Sequence, residues 1–107
     1  AKGIDWPDKN GWTPLGIAAQ NGHADTIETL VGLGSAALDR PDTEGWTPMH
    51  IAAARGRAHV VETLYRLGSA ALDQPDNGWI PLFAAAQIGQ VDAVAALLLL
   101  GSAALDQ

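Results

Sequence analysis

The stretch GWTPMHIAAARG, from Gly45 to Gly56, occurs in this chain three times. It appears upstream as GWTPLGIAAQNG from Gly11 and downstream as GWIPLFAAAQIG from Gly78, so the starts lie 34 and 33 positions apart. A second block, LGSAALD, begins at Leu33, Leu67 and Leu100 with the same two spacings. Self-similarity at this period leaves few folds open. Each unit is one supersecondary element that cannot bury its apolar face alone, and the units must stack to make a continuous core. At 107 residues that core is modest, and 48% apolar residues suffice to build it.

Within the first unit, Asp8-Lys9-Asn10-Gly11 reads as a turn, with Asp favoured at its first position and Gly where the backbone reverses. Thr13 is placed as an N-cap and Pro14 as a first helical residue that has no N–H to waste. The predicted helix runs from about Pro14 to Gln20 with Leu15, Ala18 and Ala19 as a narrow apolar stripe. Gly16 inside it should cost about 1 kcal/mol relative to a helix former. Asn21-Gly22 breaks that helix, and a second begins near Ala24 with Asp25 and Glu28 toward its positive end. Ile27, Leu30 and Val31 follow helical spacing, and Gly34 is predicted as the left-handed residue that ends it. The second unit repeats the pattern with Thr47 and Pro48. It also gathers Arg55, Arg57 and Arg66, with His50 and His59 nearby, and this reads as an ordinary solvated surface, a contact with an acidic group being the alternative. The third unit departs most: Ile80 replaces the capping Thr, only Asn77 separates Asp76 from Gly78, and Leu97 to Leu100 form an apolar run that needs cover.

The full pattern, D-x-x-G-x-T-P-L-H-x-A-A-x-x-G-H, an apolar helix, then L-x-x-G-x, resembles an ankyrin repeat. Asp42 to Arg55, DTEGWTPMHIAAAR, matches it nearly position for position, and the resemblance covers almost the whole chain. It implies an all-α ankyrin-repeat solenoid of stacked helix-turn-helix units joined by β-turn or hairpin loops. The repeats would span about 8–41, 42–75 and 76–107, with 1–7 as the tail of a preceding hairpin. Against the family pattern, G-S-A-A-L carries one extra residue before Leu38, which accounts for the period of 34. The resemblance further implies a noncatalytic protein–protein interaction module that binds through its hairpin tips and concave helix-one face. Trp12, Trp46 and Trp79 occupy a position that is exposed in the family and would form a ladder down the groove. The alternative is that each Trp packs on its neighbour's hairpin. Lys9, Asn10, Thr43, Glu44 and Asn77 at the tips, and Gln20, Arg55 and Gln87 at the end of helix one, complete the implied contact set. His50 resembles the motif histidine that holds the helix pair together.

Composition bears mainly on what the chain does not do. Twelve acidic against six basic residues give a net charge of −6, which disfavours nucleic acid and suits a basic or neutral protein partner of unknown identity. No Cys is present, and three histidines scattered over the repeats do not make a zinc site. The periodic Asp8, Asp42 and Asp76, with Asp39 and Asp73, read as turn chemistry rather than acid and base catalysis. No nucleophile-elbow or P-loop pattern is present. The expectation is therefore no enzyme, no cofactor, no metal and no membrane contact. The start lacks an apolar signal segment, which favours an intracellular location. A second reading is a structural scaffold, engineered or excised from a longer array, that has no natural partner and self-associates through the third repeat. It rests on how alike the units are and on the chain beginning and ending at the same point of the repeat.

Overall fold

Thr13 and Thr47 start the first helix of their repeats in the same way. Each has extended backbone, and its Oγ1 accepts an N–H three residues on, from Gly16 and His50 respectively, at 3.2 Å. Proline follows as the first helical residue, where a missing N–H costs nothing. The computed structural model describes residues 3–70 and 81–105. The expectations placed on Asn77, Trp79 and Ile80 lie outside the described residues.

Among the described residues the helices are α1 (Pro14–Gln20), α2 (Ala24–Gly32), α3 (Pro48–Ala54), α4 (Ala58–Arg66), α5 (Pro81–Ile88) and α6 (Val91–Leu105). No strand occurs among the described residues. The helix pairs α1–α2, α3–α4 and α5–α6 form the first, second and third repeats. α1, α3 and α5 pack side by side in one layer, and α2, α4 and α6 form a second layer behind them. The first helix of each repeat closes on a glycine with positive φ. Beyond it, the N–H of His23, Arg57 or Gln90 reaches back to Ala18, Ala52 or Ala85 at 2.8–2.9 Å. α2 and α4 end likewise, through Ser35 on Leu30 and Ser69 on Leu64, each at 2.9 Å, with Gly34 at φ +109. α6 differs: it continues through Gly101 to Leu105, where the repeat pattern predicts a loop. The strong helix formers Leu97–Leu100, Ala103 and Ala104 offset the roughly 1 kcal/mol that a glycine costs inside a helix.

The core lies between the two layers and runs through the repeats without interruption. Leu15, Ile27, Met49, Val60, Val61 and Leu64 are fully buried, each stabilising by roughly 1.5–3 kcal/mol. Ala18, Ala19, Ala52, Ala53 and Ala85 are buried where α1, α3 and α5 approach one another, because a methyl group keeps the helices close.

Polar side chains tie each repeat to the one before it. Asp5 accepts from the Ser35 hydroxyl at 2.6 Å and the Ala36 N–H at 2.8 Å, and Asp39 does the same for Ser69 at 2.5 Å and Ala70 at 2.8 Å. These periodic carboxylates therefore clamp the loop of the next repeat instead of only shaping their own turn. Arg57 Nε donates to the Gln20 carbonyl at 3.3 Å, and Gln90 Nε2 donates to the Ala54 carbonyl at 3.1 Å. His59 Nε2 lies 2.9 Å from the Gly22 carbonyl, which can only accept, so this nitrogen carries the proton. Arg66 pairs with Glu28 at 3.3 Å. In the second repeat Arg57 and His59 thus bond the first repeat, whereas Arg66, in a solvent-exposed ion pair, and Arg55 stand at the surface.

Candidate functional site

The first two hairpin tips are each built by one carboxylate. Asp8 Oδ1 accepts the N–H groups of Asn10 and Trp12, both at 2.9 Å, and Asp42 Oδ1 accepts those of Glu44 and Trp46, both at 2.8 Å. The N–H of Asp8 bonds the Trp12 carbonyl and that of Asp42 bonds the Trp46 carbonyl, at 2.8 Å in each case. Adjacent tips are then fastened together: the Thr43 N–H and its hydroxyl both donate to the Asn10 carbonyl at 3.1 Å. The side chains of Lys9, Asn10, Thr43 and Glu44 stand exposed on this fixed backbone.

Of the expected exposed ladder, two tryptophans are among the described residues, and neither stands fully exposed. Trp12 is only 9% exposed. Its ring lies over Gly16, so closely that a Cβ there would sit 2.5 Å from Trp12 Cε3. In the second repeat the matching residue is His50, and the Trp46 ring meets it edge-on at a centroid distance of 6.3 Å and an interplanar angle of 78°. Trp46 is half-buried, and His50 takes the interior place at 4% exposure. The Thr47 hydroxyl accepts the His50 N–H at 3.2 Å and also shares a hydrogen bond with the ring Nδ1 at 2.7 Å. Trp79 and Asn77 lie outside the described residues. Along helix one, Arg55 and Gln87 are exposed, while Gln20 is half-buried with its carbonyl taken by Arg57.

Other features of the surface are less site-like. An open cleft of about 330 Å³ lies between the start of α2 and α4, lined by Gly22, His23, Ala24, Asp25, Thr26 and His59. Its His59 is committed to the Gly22 carbonyl. Among the described residues no group of three His, Cys, Asp or Glu could hold a metal ion. The Ser35 hydroxyl and the Ala36 N–H, with Arg40 nearby, hold the Asp5 carboxyl below its usual range. Among the described residues no helix is long and apolar enough to cross a membrane.

A family model described as ankyrin repeats, three copies, matches residues 2–76 and again residues 36–106. The chain belongs to the ankyrin-repeat family. No curated protein matches it. Ankyrin repeats are generally protein–protein interaction modules and typically noncatalytic. The features of this ankyrin array that its sequence did not yield are the Trp12–Gly16 contact and the side chains that bind the preceding repeat. A signal for the second existed. His23, Arg57 and Gln90 share one register position, and all three can donate a hydrogen bond. Asp5, Asp39 and Asp73 share another, and all three are carboxylates.

Proposed function

We propose that this chain is a noncatalytic protein-binding module whose contact surface is formed by the hairpin tips and the exposed ends of the first helices. The observation that carries this reading is the pair of bonds from Thr43 to the Asn10 carbonyl, which locks neighbouring tips into one surface. Lys9, Asn10, Thr43 and Glu44 then project from a preorganised backbone, so little conformational freedom is lost on binding. Trp46 is the anchor, half-buried beside the tips and of the residue type that most often dominates interface energetics. Gln20, Arg55 and Gln87 extend the surface, and the sequence repeat adds Asn77 and Trp79, which lie outside the described residues. Trp12 supports the loop from within. The partner is a protein, and a net charge of −6 suits one that is basic or neutral. Affinity capture on the immobilised chain tests the reading, with Trp46→Ala and the pair Lys9→Glu, Glu44→Lys as controls whose fold is checked by circular dichroism. A partner retained by the native chain and lost from both variants is the expected result. Capture that ignores these changes would contradict it.

A second reading, a self-associating scaffold, is favoured by the exposure of Ile88, Val91, Leu98 and Leu99 on the third repeat. On this reading molar mass rises with concentration, and Leu99→Lys reduces the association.

A further inference from the structure

Three copies of one unit allow a single surface to be followed from its covered to its uncovered form. Ala19 and Ala53 are fully buried, and Ala86, in the same register, is exposed. Ile27 and Val61 are fully buried, and their counterpart Val94 is half-buried. Val91 and Leu98 extend that surface along α6, at 76% and 55% exposure. Gly22 is covered by the Arg57 side chain and Gly56 by that of Gln90, whereas among the described residues nothing lies within 4 Å of the matching place at Gly89. The face of the third repeat is thus the face that the first two use to receive their successors.

The internal interfaces also say what fits on it. Arg57 donates to the Gln20 carbonyl and Gln90 to the Ala54 carbonyl, so the next acceptor in the series is the Gln87 carbonyl. The donor in matching register at the other end of the stack is His23, which is exposed. The outer face of the first repeat follows the pattern of the faces already buried. Thr26 stands where Val60 and Ala93 are buried, and Thr29 where Thr63 and Ala96 are buried. The Thr29 hydroxyl donates to the Asp25 carbonyl at 3.0 Å, the same bond that Thr63 makes to His59 at 2.9 Å while only 5% exposed. Covering Thr29 therefore strands no hydroxyl.

We infer that the uncovered face of the third repeat receives the first repeat of a second copy of this chain, in the register of the internal interfaces, with a His23 ring N–H on the Gln87 carbonyl. The inference rests on the self-association reading and is independent of the tip surface. The two patches differ, so the contact is heterologous and propagates instead of closing. Light scattering over a range of concentrations tests it on the native chain, on Leu98→Arg and on Thr26→Arg, with thermal melts confirming that both variants fold. The native chain should grow past the dimer. Each variant alone should stay monomeric, and an equimolar mixture should give a dimer that grows no further. His23→Ala should weaken association roughly two- to ten-fold. A native chain that is monomeric throughout overturns both this inference and the self-association reading. A native mass that stops at the dimer, with Thr26→Arg without effect, overturns the head-to-tail arrangement alone and leaves self-association standing.

Discussion

The first and second repeats share caps, turns and helix lengths, yet they treat the same tryptophan in different ways. Gly16 leaves room for the Trp12 ring to lie on the helix, and the residue enters the core. His50 fills that room, bonds Thr47, and leaves Trp46 half-buried with the His50 ring at its edge. One position in the first turn of helix one thus decides whether a repeat's tryptophan is buried on its own helix or left half-buried at the surface. Gly16, which looks like a defect by helix propensity, is the condition for burying a large aromatic side chain.

The strongest way to break the comparison is to give the first repeat the second's residue. Gly16→His should cost about 3 kcal/mol, since the new Cβ collides with the Trp12 ring and forces it out of the core. Urea unfolding reads the loss, and a red shift of tryptophan emission reads the expulsion. The reverse change, His50→Gly, should cost about 2 kcal/mol, from a glycine in a helix and a Thr47 hydroxyl left without its ring partner. It should also shift emission to the blue as Trp46 settles onto the helix. Arg57→Ala probes the contact between the two repeats. Loss of its bond to the Gln20 carbonyl should cost about 1 kcal/mol in the same unfolding measurement.

The smallest effect concerns the clamp at Asp5. Its carboxyl is held low chiefly by the Ser35 hydroxyl and then by the Ala36 N–H. A carboxylate with a depressed folded-state pKa contributes stability above its unfolded value of about 3.9, and that contribution is lost as pH falls through the folded value. Asp5→Asn should therefore unfold more readily than the native chain at pH 7. The two denaturation midpoints should converge as the pH falls through the depressed folded-state value.

What could be read from the sequence divides along physical lines. Helix starts at Thr13-Pro14 and Thr47-Pro48, their glycine ends, and the turns at Asp8 and Asp42 follow from local rules, and the structure has them where those rules put them. The repeat period then assigns neighbours, and with them the all-α stack. Burial of Trp12 was not legible, because it depends on the space left by Gly16 and not on the tryptophan's own motif. The roles of Arg57, Gln90 and Asp39 were hidden for a related reason. Each acts on a residue a full repeat away, and the turn or surface reading accounts for each residue within its own unit. The tip residues Lys9, Asn10, Thr43 and Glu44 were legible as exposed, but the bond that fastens Thr43 to Asn10 needed the stacked geometry.

The central claim, that the residue at Gly16 or His50 sets the fate of the repeat's tryptophan, is tested most directly by acrylamide quenching of single-tryptophan chains. One chain keeps only Trp12 and the other only Trp46, the remaining tryptophans being changed to Phe. The account predicts that Trp12 is quenched several-fold less than Trp46, and that adding Gly16→His brings Trp12 to the behaviour of Trp46. Equal quenching of the two, or a Trp12 that stays protected after Gly16→His, would contradict it.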